Sequence, residues 1–421
     1  MIIRLIEALN FRCLHYVRQP LGRFHILVGP NASGKTTFLD VVAFLGRLVD
    51  DGVEAAVGER TDNFQDLVWG RNSDWFELAI EAEIPPQRVE AHTKSFCAIR
   101  YEVRIGLGKD DGALGILDEK AWLVPAEAQA SVNRQRSLFP SEPQPPDTIL
   151  TGKAKPGWQR ILSKAYGGND NFYVEVRPEG AGKGWFPSIR LGPRKSALGN
   201  LPEDETKFPA ATWFKQLLTA GVQSLVLNSH AIRRASPPGR PRTFEPDGSN
   251  LPWVVAELSK RPLQFKRWVQ HVRTALPEIE GIRSVERADD KHRYLMLRYS
   301  GGLDIPSWMA SDGTLRLLGL TIPAYVPDFQ GVYLVEEPEN GIHPLAVQTV
   351  LQSLESVYGA QVLLATHSPV IVSLAKASEV LCFSKTERGE TDIVPGSQHP
   401  NLSNWQGQKD LGTLFAAGVL S

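Results

Sequence analysis

Cysteine is scarce in this chain. Its three cysteines, Cys13, Cys97 and Cys382, stand far apart. That excludes a disulfide framework or a cysteine metal-ligand spacing and fits a reducing, cytoplasmic compartment. Long hydrophobic runs are also missing: no window approaches the roughly 18 consecutive apolar residues of a membrane span, so no membrane partner is expected. The opening, from Met1 to Glu7, is too short and too charged for a signal peptide and reads as a strand. Neither charge sign dominates. With 46 Lys+Arg against 47 Asp+Glu the net charge is −1, so any nucleic-acid or membrane-surface role would need a local patch. Repeats of fixed period are absent. The remaining composition, 42% hydrophobic and 22% charged over 421 residues, allows two to three domains and a sizeable core.

Residues 29–36 read Gly-Pro-Asn-Ala-Ser-Gly-Lys-Thr, directly after the apolar run Phe24, Ile26, Leu27, Val28. This is the phosphate-cradling pattern G-x-x-x-x-G-K-[ST], set between a strand and a helix as its chemistry requires. Gly29 and Gly34 let the backbone wrap a β-phosphate with successive N–H groups turned inward. Lys35 supplies positive charge to the β- and γ-phosphates, and the Thr36 hydroxyl suits Mg²⁺. The helix that follows, through Thr37, Phe38 and Leu39 to Leu45, aims its positive end at the same phosphates. Asn31 and Ser33 complete the nucleotide-binding candidates of the loop.

Strands are expected at 2–7 and 24–28, a helix at about 35–48, and an antiparallel pair at 75–84 and 97–106. Residues 107–210 are rich in Gly, Pro and Ser, and only short strand-like pieces at 172–176 and 188–191 interrupt them. They read as an irregular insertion of loops and short strands. Helical spacing returns from 211 (Trp213, Leu217, Leu218; Trp253, Val254, Leu258; Phe265, Trp268, Val269, Val272), and a strand pair falls at about 293–305. The expected organisation is an amino-terminal lobe over 1–106, the insertion over 107–210, and a carboxy-terminal lobe over 211–421.

Residues 332–337 describe a buried strand, Val-Tyr-Leu-Val, ending in two carboxylates. In phosphoryl transfer to water, one carboxylate at such a strand end holds the Mg²⁺ shell and its neighbour polarises the attacking water. Glu336 takes the metal role and Glu337 the base. A second apolar strand, 362–365, ends in Thr366-His367-Ser368-Pro369, where His367 can reach a γ-phosphate or its water. Between these regions, Ser311-Asp312-Gly313-Thr314 opens a helix from 314 to 320. Its exposed amides and hydroxyl read either as a plain helix cap or as a second phosphate clamp.

Taken in order, the P-loop, Ser-x-Gly-Thr, Glu-Glu-Pro-Glu-Asn-x-x-His-Pro and Thr-His-Ser-Pro resemble the ABC-type ATPases of the RecF/SMC/OLD branch. The stand-alone AAA-family members of prokaryotic defence operons resemble it most. The opening with Asn10-Phe11-Arg12 and the stretch Asp247-Gly248-Ser249-Asn250-Leu251-Pro252 fit the same branch. The resemblance covers about 1–105 and 211–385. It implies an α/β P-loop NTPase fold, with a mixed central sheet, flanking helices and an antiparallel β subdomain. It also implies ATP and Mg²⁺ held between two subunits of a homodimer. Lys35 and Thr36 of one chain would hold the phosphates, and Ser311 and Gly313 of the other would close over the γ-phosphate. Glu337 would be the catalytic base, His367 the switch histidine, and residues 340–343 the loop communicating across the dimer. Arg12 reads as a phosphate contact or as a solvated strand-end residue.

Two departures stand out: Glu336 replaces the general pattern's Asp, and Asp312 replaces a signature glycine, bringing negative charge near the γ-phosphate unless it pairs with a base. The family's Mg²⁺-linked glutamine corresponds to Gln65 or Gln87. The OLD-type Toprim domain has too little room after His367, so the effector is expected to be a separate protein of the same operon. The expected function is thus a nucleotide-dependent, dimerising, ATP-hydrolysing switch in defence or DNA maintenance. The alternative is an ATP-gated clamp or scaffold with negligible hydrolysis. A transporter ATPase fits less well, lacking a coupling loop. Arg233, Arg234, Arg240 and Arg242 around a Pro/Gly loop, with Lys266, Arg267 and Arg273 on a helix, read either as a nucleic-acid patch or as solvated charge.

Overall fold

The computed structural model describes residues 3–89, 96–109, 111–126, 136–142, 144–176, 188–326, 329–403 and 411–420. Parts of the expected insertion, 127–135 and 177–187, and of the tail, 404–410, lie outside these residues. The chain opens with β1 (Ile3–Phe11), β2 (Leu14–Pro20) and β3 (Phe24–Val28), then the helix Lys35–Asp51. Next come β4 (Trp75–Glu83), β5 (Phe96–Leu107), β6 (Leu114–Pro125), β7 (Gln159–Ala165) and β8 (Asn171–Phe172). With β1 and β2 they form an antiparallel sheet of order β2-β1-β4-β5-β6-β7-β8.

The pair expected at 75–84 and 97–106 is β4 against β5. The boundary expected at 106 does not divide the sheet, because β6 pairs along β5 and β7 and β8 continue the order. Asp118, Glu119 and Lys120 hide β6 in the sequence by interrupting its apolar pattern. Yet Glu119 is fully buried and accepts hydrogen bonds from Tyr101, Ser196 and the backbone of Ala197 and Leu198. Of the short strands expected beyond it, 172–176 shrinks to β8 and 188–191 to one bridge between Ile189 and Asp170. The strap at 144–151 covers the sheet's second face. Ile149 N donates to Glu77 (2.7 Å) and Thr151 N to Glu102 (2.7 Å), beside an Arg100 guanidinium shared among Glu7, Glu81 and Glu102.

After the helix Pro209–Thr219 comes β9 (Val222–Leu225). The helices Leu251–Leu258 and Pro262–Ala275 then precede a three-stranded antiparallel sheet of β10 (Ile279–Glu286), β11 (Arg293–Tyr299) and β12 (Leu303–Pro306). The last four strands are β13 (Val332–Glu336), β14 (Gln361–Ala365), β15 (Val380–Lys385) and β16 (Thr391–Pro395). They join β3 and β9 in the central sheet, order β16-β15-β3-β14-β13-β9, parallel except at β16.

Alternate residues of the central strands enter two different cores. Leu27, Leu334 and Leu363 pack with Phe38 and Val42 of the P-loop helix. Ile26, Val335 and Leu364 pack with Leu315 and Leu318 of the helix Asp312–Thr321 and with Val347 of the helix Pro344–Glu355. Burial on both faces is why β3, β13 and β14 read as nearly continuous apolar runs. Each such buried side chain contributes about 1.5–3 kcal/mol. Together they fix the carboxyl ends of three adjacent strands, where Gly29, Glu336 and Thr366 begin the functional loops. Among the described residues, no helix is long and apolar enough to cross a membrane.

Candidate nucleotide site

β3 ends at Val28, and the chain turns at Gly29 and Gly34, whose φ angles are 150° and 103°. A Cβ at Gly29 would run into the Phe383 carbonyl, and one at Gly34 into the Thr391 side chain. Glycine is therefore required by packing against β15 and β16 as well as by the turn. Thr391 holds the loop in place: its Oγ1 donates to Ser33 O (2.9 Å), and its N donates to Cys13 O (3.0 Å). Lys35 Nζ donates to the carbonyls of Gly29 and Pro30, both at 2.9 Å. Burial pushes its pKa down to about 8, although Glu337 and Glu336 pull the other way. Ser33 Oγ is buried with no hydrogen-bond partner among the described residues, and the first helical turn leaves its N–H groups unpaired within the helix. These donors fit a phosphate.

At the end of β13, Glu336 Oε2 accepts from Thr36 Oγ1 at 2.6 Å. A hydroxyl facing a carboxylate at the mouth of the loop fits Mg²⁺, which takes one or two protein oxygens and fills its octahedron with phosphate and water. Among the described residues no cluster of three His, Cys, Asp or Glu could hold a metal by itself, so the nucleotide would share the ion.

Glu337 adopts a left-handed backbone, φ 44°, and its N donates to Ala365 O at 2.8 Å. Its carboxylate accepts from Asn340 Nδ2 and stands 3.9 Å from His367 Nε2. Burial, then the charge of Lys35, lowers the His367 pKa below its usual value, with Glu337 and Glu339 opposing. The imidazole is therefore mostly neutral at pH 7. Glu339, which sequence reading did not single out, ties the two strand ends together. Its Oε1 accepts from Thr366 Oγ1 (2.6 Å) and His367 N (3.1 Å). The third carboxylate of Glu336-Glu337-Pro338-Glu339 was the available signal.

A cavity of about 970 Å³ brings these groups together. Its wall includes Asn31, Ser33, Gly34, Lys35, Thr36 and Thr37, together with Arg12, Glu336, Glu337 and His367. Arg12 (φ 50°) lines it while its Nη1 binds Asp40 at 3.1 Å. Of the two candidate glutamines, Gln65 lies in the wall, whereas Gln87 sits in the short helix Pro86–Val89 and does not. Lys385, at the exposed end of β15, also lines the cavity and was missed in the sequence because β15 carries no motif.

Ser311 and Gly313 are not in this wall. Ser311 caps the helix Asp312–Thr321, its Oγ accepting from Thr314 N at 3.1 Å. Gly313 lies so close to Gly341 O that an added Cβ would sit 2.9 Å from it. Asp312, the departure from the family's glycine, pairs with Arg233 Nη2 at 2.7 Å.

Three of the seven residues of the expected basic patch pair with the chain's own carboxylates. Arg233 binds Asp312, Arg240 binds Glu245 and Arg242 binds Glu257. Arg234, Lys266 and Arg267 remain exposed, while Trp268 is buried and donates to Thr321 Oγ1 at 3.0 Å.

A family model described as "AAA domain, putative AbiEii toxin, Type IV TA system" matches residues 24–373. No curated protein matches the sequence. Among solved structures, an Smc head bound to the C-winged helix domain of ScpA is similar at TM-score 0.53 and 14% identity, over 94% of this chain and 98% of that one. The Smc head domain with an extended coiled coil bound to the C-terminal domain of ScpA from Pyrococcus furiosus is similar at TM-score 0.51 and 14% identity, over 93% and 95%. Identity at this level speaks for the fold alone, a P-loop ABC-type ATPase fold like that of the Smc heads. The chain belongs to the AAA-domain family whose model spans 24–373.

Proposed function

We propose that this chain binds ATP with Mg²⁺ and hydrolyses it in a site completed by a second copy of itself. The observation that carries the reading is the composition of the cavity wall. It holds the P-loop, Glu336, Glu337 and His367 but lacks Ser311 and Gly313, which supports a signature clamp supplied by another molecule. Lys35, Ser33 and the loop amides hold the phosphates. Thr36 and Glu336 hold Mg²⁺, whose charge offsets that of the β- and γ-phosphates. Glu337 accepts the proton of the water that attacks the γ-phosphorus as the bond to the β–γ bridging oxygen breaks, and neutral His367 orients that water. The switch would act on a separate effector in defence or DNA maintenance, as Smc heads bind ScpA.

A second reading, an ATP-gated clamp with negligible turnover, is favoured by Asn340, which holds the Glu337 carboxylate. Turnover per chain that rises with protein concentration, and disappears in Glu337→Gln while an ATP-bound dimer persists, selects the first reading. An ATP-bound dimer of the unmodified chain without turnover selects the second.

A further inference from the structure

Asp312 sits at the first position of the signature helix, next to the Ser311 cap, with 59% of its side chain exposed. If that helix end meets the γ-phosphate of a second copy, an unpaired carboxylate there repels it. Arg233 answers this charge. Its Nη2 binds Asp312 Oδ1 at 2.7 Å and Ala310 O at 2.9 Å, while its own carbonyl accepts from Ser307 Oγ at 3.0 Å. The short helix that carries it, Ser229–Arg233, is fixed by the Asn228 side chain, which accepts from the N–H groups of His230 and Ala231. Arg233 thus touches the signature on both sides of Ser311. It comes from a chain segment more than seventy residues away in the sequence.

We infer that Arg233 is a positioning residue that completes the signature, cancelling Asp312 and so allowing the end of the helix Asp312–Thr321 to receive the γ-phosphate held by a second copy. The arginine and the aspartate together replace the glycine of the usual pattern. The inference rests on the shared-site reading above, and it removes Arg233 from any nucleic-acid patch.

The test uses the full chain in a Glu337→Gln background, which traps ATP, with dimerisation followed by analytical ultracentrifugation and ATP affinity by a fluorescent analogue. Arg233→Ala should weaken ATP-driven dimerisation at least tenfold, with ATP affinity of the isolated chain within twofold, because its own P-loop sets that affinity. Asp312→Gly should dimerise at least as well as the parent. Arg233→Ala combined with Asp312→Gly should recover to within about threefold, the sign of a charge relationship rather than a structural one. Arg233→Lys should recover partly, since one ammonium replaces a forked guanidinium. Dimerisation by Arg233→Ala equal to the parent's overturns the inference alone, as does a double variant no better than Arg233→Ala. A parent that stays monomeric with ATP overturns the shared-site reading and this inference with it.

Discussion

At the scale of single residues, Lys35 and Glu337 both stand in states that the folded chain imposes at a cost. Glu337 holds a left-handed backbone that L-residues avoid by roughly 1–2 kcal/mol. The hydrogen bond from its N–H to Ala365 O and the grip of Asn340 keep it there, which aims the carboxylate at the cavity. Lys35 is kept from water, and its pKa falls from 10.5 to about 8. Between those two values the folded chain holds fewer protons than the unfolded one. Lys35 therefore destabilises the fold below pH 8, and the penalty fades as pH rises to 10.5. Phosphate favours the charged amine, so nucleotide binding raises the pKa again. Above about pH 8 the chain must take up a proton on binding ATP, and affinity should fall by about tenfold per pH unit. Calorimetry in buffers of different ionisation enthalpy would report this uptake. An affinity flat from pH 7.5 to 9.5 would rule out the depressed lysine.

At the scale of elements, the strand β16 is one that the sequence did not announce. The residue just before it and its first two residues bind three different parts of the molecule. Glu390 meets His15 of β2 at 2.8 Å, Thr391 holds the P-loop carbonyl of Ser33, and Asp392 takes Arg136 (2.7 Å) and Ser141 N (2.8 Å) from segment 136–142. Asp392→Ala should cost about 2 kcal/mol, the lower part of the range for hydrogen bonds to a buried charge because Arg136 stays partly hydrated. It should also speed proteolysis within 136–142 and weaken ATP binding a few-fold through Thr391. Proteolysis unchanged by the substitution would refute the anchor.

None of this was legible in the sequence. β3, β13 and β14 could be read because both faces of each are apolar, and the residues at their ends carry recognisable chemistry. β6, the strap at 144–151 and the anchor at Asp392 could not. Each depends on a buried carboxylate, Glu119, Glu77, Glu102 or Asp392, whose partner lies tens to hundreds of residues away. In a sequence, such a residue looks like a surface charge. The partner of Arg233 was hidden for the same reason: its neighbours in the chain offered a basic patch or solvated charge, and its partner is Asp312.

At the scale of the whole molecule, the signature is not independent of the catalytic loop in its own chain. Gly313 lies against Gly341 O, in the loop that follows Glu337, so in the proposed dimer the helix end offered to another copy would be coupled to the base of its own site. A twofold dimer built this way has two equivalent sites, each drawing its P-loop from one chain and its signature from the other. That division of labour makes a prediction that a site within one chain cannot meet. Lys35→Ala removes the phosphate contact in cis. Ser311→Arg spoils the clamp in trans, putting a bulky side chain at the exposed start of the helix without pressing on its own chain's Gly341. Each variant alone should be inactive. Mixed in equal amounts and allowed to exchange, half of the dimers are heterodimers, and each of these carries one intact site beside one doubly damaged site. Turnover should therefore recover to about a quarter of the unmodified level if the two sites act independently. With one variant fixed and the other added in excess, total turnover should rise to a plateau as every copy of the fixed variant enters a heterodimer, while turnover per chain peaks at equal amounts. Heterodimers that form, detected by differently tagged copies, yet recover no turnover at any ratio would count against a site shared between chains. Activity retained by Ser311→Arg alone would count against any role for the signature.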